Sequence, residues 1–130
     1  MRWLFADGSE SDLAYAHYVL GILEKTDVQA WAPSLWRLEV ANVISRAEAK
    51  HLLVESRSAE FLRLLGALEI VVDSDTAEHA LGNTLELARR YSLSAYDAAY
   101  LELALREGVA LATLDAGLQN AAAKAGIVKL

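Results

Sequence analysis

Val109-Ala110-Leu111-Ala112-Thr113-Leu114-Asp115 decides the fold. The run Val109 to Thr113 is apolar, short and set off by Gly108, which suits a strand rather than a helix. Asp115 is a good helix N-cap, and a short helix then runs to about Ala125. Gly126 leads into Ile127-Val128-Lys129-Leu130, a last strand. Working upstream, Ser94 to Glu107 reads as a helix stopped by Gly108. Thr76 to Tyr91 is another, with Ala77, Ala80, Leu81, Leu85 and Ala88 on one face and Arg89 and Arg90 at its C-terminal end. Ile70-Val71-Val72 is a β-branched strand, and Phe61, Leu64 and Leu65 mark a helix from Val54 to Leu68. Leu35, Leu38, Ala41 and Val43 carry a helix from the Ser34 cap toward Ala49, preceded by a strand at Val28 to Ala32 that stops at Pro33. Ser9-Glu10-Ser11-Asp12 is a capping-box pattern opening a helix from about Asp12 to Lys25. Short apolar strands alternating with helices predict an α/β domain whose parallel sheet is covered on both faces.

The 130 residues, 55% apolar and 23% charged, suit one domain over residues 1–130. The absence of cysteine excludes disulfides, thiolate zinc sites and cysteine catalysis, and fits a reducing cytoplasm. A net charge of −6 supplies no bulk field for nucleic acid or anionic lipid, so a phosphate ligand needs a local device. The opening Met1-Arg2-Trp3-Leu4-Phe5-Ala6-Asp7 is too short an apolar stretch for a signal peptide, and no run reaches the ~20 residues of a membrane span. A cytoplasmic protein is expected. One proline, scattered glycines and no repeat mark no internal boundary.

Ligands of open parallel sheets collect beyond the carboxyl ends of the strands, and three acids follow predicted strands or helix starts there: Glu39, Asp97 and Asp115. Asp97 also completes a capping box with Ser94, and Asp115 is an ordinary N-cap. Glu39 shares a helix face with Leu35, Asn42 and Val43, among apolar neighbours where an ionised carboxylate is costly unless paired or bound to a cation. Together the three form an oxygen-only set of the kind Mg²⁺ or Mn²⁺ prefers.

Three segments carry a resemblance. Pro33-Ser34-Leu35-Trp36-Arg37-Leu38-Glu39-Val40-Ala41-Asn42, then Leu93-Ser94-Ala95-Tyr96-Asp97-Ala98-Ala99-Tyr100-Leu101, then Leu111-Ala112-Thr113-Leu114-Asp115 resemble, in order and spacing, the second, third and fourth acidic motifs of PIN domains. They are most similar to the toxin ribonucleases of VapBC toxin–antitoxin pairs. The resemblance implies an α/β/α sandwich with a parallel sheet, Mg²⁺ or Mn²⁺ as cofactor and hydrolytic cleavage of RNA. It also implies Glu39, Asp97 and Asp115 as catalytic metal ligands, Thr113 as a hydroxyl in or beside the site, an antitoxin partner and a homodimer.

The departure lies at the N-terminus, where the family has a buried strand ending in Asp-x-Ser or Asp-x-Asn. Trp3 to Ser9 looks like the aromatic turn that follows the family's next helix, which leaves the first strand and first acid missing. A second alignment makes Arg2 to Ala6 the strand and Asp7-Gly8-Ser9 the motif, but leaves too little chain before Val28 for the family's first two helices. The first alignment is preferred, and with it a truncated chain. A site short of one acid raises an alternative of another class, a catalytically impaired PIN fold that binds a protein partner. An unrelated α/β phosphate-binding domain is disfavoured because no glycine-rich phosphate loop is present.

His17, His51 and His79 have no ligand spacing and are expected at or near the surface. Tyr15, Val19, Trp31 and Trp36 suggest an apolar interface surface. Arg37, Arg46 and Lys50 near Glu39 are candidate phosphate contacts, although helix cations are far more often simply solvated.

Overall fold

In the computed structural model the described residues are 18, 21–25, 28–128 and 130. Arg2 to Ala6, Asp7, Tyr15, His17 and Val19 lie outside them, as does most of the helix expected from Asp12, of which Gly21 to Leu23 are helical. The chain then runs β1 (Ala30–Pro33), α1 (Trp36–Ala49), α2 (Glu55–Gly66) and β2 (Ile70–Asp73). It continues through α3 (Thr76–His79), a π-helical turn (Ala80–Thr84), α4 (Leu85–Tyr91), α5 (Ala95–Glu107) and α6 (Ala116–Lys124).

The strands β1 and β2 pair in parallel with Ala30 opposite Ile70 and Pro33 opposite Asp73. Their connection is the hairpin of α1 and α2, the helical crossover that parallel strands require. The carboxyl ends are tied together, because the Ser34 amide donates to Thr76 Oγ1 at 3.0 Å and Thr76 Oγ1 lies 2.9 Å from Asp73 Oδ2.

Apolar burial falls into two clusters. Ala32, Trp36, Val40, Ile44 and Leu65 join β1 to α1 and α2, while Leu101, Ala104, Leu111, Leu118, Ala121 and Ala122 join α5 and α6. Trp36, only 6% exposed, belongs to the first core and is not available as an interface aromatic, which corrects that expectation; Trp31 is 39% exposed.

Side-chain caps open α5 and α6, whereas α1 follows Leu35 with no side-chain cap, which corrects the expected cap at Ser34. Ser94 Oγ accepts from the Asp97 amide at 3.1 Å to open α5, and Gly108 closes it in a left-handed conformation that costs glycine little. Two further expectations are corrected. The helix from Thr76 to Tyr91 is not continuous, because Gly82 has φ −108° and ψ −108°, a backbone conformation outside the helical region, and a π-helical turn takes up the difference. Val109 to Thr113 and Ile127 to Leu130 are not regular strands among the described residues. Among the described residues Leu111 pairs, its amide donating to the Val128 carbonyl and its carbonyl accepting from the Leu130 amide, in the pattern of a parallel bridge.

Candidate active site

The helix α1 leaves the end of β1 and presents Leu35, Leu38, Glu39, Asn42, Val43 and Arg46 along one face, the i, i+3, i+4 and i+7 rows expected of a helix. Across an open cleft the start of α5 presents Ser94, Tyr96 and Asp97. The sequence made the Glu39 helix apolar nearly all round, yet Leu38 is 68% exposed and Glu39 is half-buried at the cleft wall. An ionised carboxylate is tolerated there because solvent reaches the cleft.

The two acids disfavour one another's charge. Partial burial raises the pKa of Glu39, and the nearby Asp97 charge raises it further against a lowering hydrogen bond from Tyr100. Burial also raises Asp97, with the charge of Asp115 adding to it and Ser94 opposing it. Asp97 is therefore the electrostatic middle of the three acids. Tyr100, one turn after Asp97 on α5, donates its hydroxyl to Glu39 Oε1 at 3.0 Å and is itself pushed well above the usual phenol range by burial and by Glu39.

Asp115 stands apart from the cleft lining. Its Oδ1 accepts from the Leu118 amide at 2.9 Å, so it is the N-cap of α6, while its own amide donates to Thr113 Oγ1 at 3.1 Å. Buried Thr113 thus orients Asp115. Gly117 leaves room for that carboxylate, since a Cβ there would lie 3.2 Å from Asp115 Oδ1. Among the described residues no group of three or more His, Asp or Glu is disposed to hold a metal ion.

Of the candidate cations, Arg46 lines the cleft, whereas Arg37 stacks 5.5 Å from the Trp36 ring centroid and Lys50 ends α1 as an exposed C-cap residue. His51 is exposed, and half-buried His79 has Nδ1 at 3.7 Å from Glu102 Oε1. The sequence reading missed Tyr100, although its spacing of three from Asp97 placed it on the same helix face. It also missed a buried ion network. Asp73, 3% exposed at the end of β2, receives Arg106 Nη2 at 2.7 Å and Nη1 at 3.1 Å. Arg106 also donates to Glu102 through Nε at 2.8 Å and Nη2 at 3.0 Å.

A family profile for the PIN domain matches residues 5–124. The chain belongs to the PIN domain family. The α/β architecture with its parallel strands agrees with the α/β/α fold of that family. PIN domains are generally metal-dependent nucleases acting on RNA or DNA, and membership of the family suggests nuclease activity for this chain. No curated protein matches the chain. No helix among the described residues is long and apolar enough to cross a membrane.

The cleft chemistry fits a divalent ion. Mg²⁺ keeps several waters and is often bound through only one or two carboxylates, and Glu39 and Asp97 form an oxygen-only pair whose mutual repulsion a cation relieves.

Proposed function

We propose that this PIN domain is a metal-dependent ribonuclease, the toxin of a type II toxin–antitoxin pair, with Glu39, Asp97 and Asp115 as its catalytic, metal-binding carboxylates and Mg²⁺ or Mn²⁺ as cofactor. The observation that carries the reading is the facing pair Glu39 and Asp97, both biased toward the protonated form, in one open cleft with Arg46. Groups at functional sites are where such opposed charges are retained. The choice of RNA and of an antitoxin partner, of a homodimer and of a cytoplasmic setting, rests on the similarity of the three acidic segments to VapBC toxins.

When bound, a divalent ion supplies a water of lowered pKa and neutralises charge on a phosphate. The chain's own residues do the rest. Glu39, Asp97 and Asp115 would hold the cation, with Tyr100 fixing one Glu39 oxygen through its hydroxyl. Arg46 offers a guanidinium to a phosphate oxygen, and exposed Tyr96 offers a ring face to a base. Asp115 adds negative charge behind Asp97.

The test is Mn²⁺ binding followed by its paramagnetic signal, together with cleavage of a single-stranded RNA. Asp97→Asn is expected to weaken Mn²⁺ binding at least about tenfold and to lower cleavage by roughly a hundredfold or more. Binding and cleavage unchanged in Asp97→Asn would overturn the assignment. A second reading, a catalytically impaired PIN fold that binds a protein partner, is favoured by the lack of a three-ligand group among the described residues. It expects no cleavage and no Mn²⁺ binding by the native chain.

A further inference from the structure

Glu39 and Asp97 stand on different helices and repel one another, so the protein has to hold α1 and α5 at a fixed separation. Across the cleft, the Tyr100 hydroxyl bonds Glu39 Oε1, a neutral donor on one carboxylate oxygen. A second connection runs behind the cleft. The Ser34 amide, the first past the end of β1, donates to Thr76 Oγ1 at 3.0 Å. Thr76 gives its own hydroxyl hydrogen to Asp73, with Oγ1 2.9 Å from Oδ2. The same Oδ2 receives Arg106 Nη2 at 2.7 Å while Nη1 reaches Oδ1 at 3.1 Å, the two-pronged geometry that makes arginine–carboxylate pairs strong. Arg106 is in turn braced on α5 by Glu102.

We propose that the bonded chain Ser34–Thr76–Asp73–Arg106 sets the separation of Glu39 and Asp97, with Thr76 as its positioning residue. Its two ends lie at the roots of the two cleft walls. Ser34 is five residues before Glu39, and the Glu39 amide closes the first turn of α1 on the Leu35 carbonyl at 3.1 Å, so a displacement of Ser34 carries Glu39 with it. Arg106 is nine residues after Asp97, about two and a half helical turns, which puts it on the side of α5 opposite the cleft acid. The middle of the chain is stiff. Buried Asp73 carries two donors on each oxygen, the Asp75 amide and Arg106 Nη1 on Oδ1, the Thr76 hydroxyl and Arg106 Nη2 on Oδ2, so the carboxylate cannot turn without losing a bond. Thr76 is the link through which β1 and α1 are tied to this anchor, and a single hydroxyl makes both of its bonds. The consequence for ion binding rests on the proposed nuclease reading, whereas the consequence for cleft geometry does not.

The test reads the Tyr100–Glu39 bond in the full chain without metal or RNA, through the carbon NMR resonance of Tyr100 Cζ, with Glu39→Ala marking the position of a Tyr100 that has lost its acceptor. Thr76→Val keeps the branched shape and removes the hydroxyl. It is expected to move the resonance toward the Glu39→Ala position and, in a separate titration, to weaken Mn²⁺ binding about tenfold, the usual scale for a group that orients a metal ligand. Thr76→Ser is expected to restore both. Arg106→Lys keeps the charge, loses the two-pronged pair and breaks the chain at its other end, so it is expected to move the resonance the same way. The double variant is expected to move it no further than the larger single change, as links of one path do. A Tyr100 resonance unmoved in Thr76→Val, a Thr76→Ser protein that behaves like Thr76→Val, or additive shifts in the double variant would overturn the proposal. A native chain that binds no Mn²⁺, with the resonance moving as expected, sinks the nuclease reading and leaves the positioning role standing.

Discussion

The cleft and the Arg106 network use the same carboxyl groups to opposite ends. In the network, Asp73 is more deeply buried than either cleft acid, yet the Arg106 guanidinium holds its pKa below the usual carboxylate range, with the Asp75 amide and the Thr76 hydroxyl assisting against burial. In the cleft, Glu39 and Asp97 are only half-buried, yet burial raises their pKa values and the charges of Asp97 and Asp115 add to it, while no arginine bonds either carboxylate as Arg106 bonds Asp73 and the side-chain donor to Glu39 is a neutral phenol. Burial alone therefore does not separate structure from function in this molecule. What separates them is whether the fold has supplied the countercharge.

The comparison breaks most visibly on the paired side. Arg106→Ala leaves two buried carboxylates without their cation and is expected to cost about 3 to 5 kcal/mol in urea denaturation. On the cleft side the sign reverses. Glu39→Gln keeps an acceptor for Tyr100 and removes a repelled charge, so the metal-free protein is expected to gain up to about 1 kcal/mol after solvent screening, while Mn²⁺ binding falls. A clear loss of stability in that variant would mean that the cleft is a structural site.

Acid titration sharpens the contrast. The lowered Asp73 contributes stability above its ordinary value of 3.8 and loses it as pH falls through its lower folded value, so Asp73→Asn flattens the stability curve below about pH 3.8. Glu39 and Asp97 act in the other direction. Their contribution is full below their ordinary values of 4.5 and 3.8 and is lost as pH rises through the higher folded values, so Glu39→Gln with Asp97→Asn flattens the curve on that side. Thermal melts of the three proteins across pH 2 to 7 check both slopes. The smallest effect belongs to Glu86→Gln, which breaks a solvent-exposed pair with Arg89 and is expected to move stability by no more than about 0.5 kcal/mol.

Most helices were legible because their signals are local: the Ser94 cap, the Gly108 stop and the apolar spacing of α1 and α2 all sit within a few residues. The break at Gly82 escaped the same reading, since the apolar face of Thr76 to Tyr91 keeps its period across a backbone that departs from the helix. Strands at Val109 and Ile127 were over-read because apolar composition reports burial, whereas a regular strand also needs a run of ladder bonds, of which the described residues show a single bridge at Leu111. Within the site, Glu39 and Asp97 were visible as acids in post-strand segments. Tyr100 was hidden because its role depends on a residue sixty-one positions earlier, and the Arg106 network because Asp73 lies thirty-three positions away on another element.

The separation between Glu39 and Tyr100 also sets a timetable. A ribosome extending the chain at about 5 to 20 residues per second makes Glu39 roughly 3 to 12 s before Tyr100. Through that interval α1 exists without its opposing wall. The nascent protein has one half of its cleft early and acquires the other only when α5 is made, so the order of the chain itself delays assembly of the acidic site until late in translation.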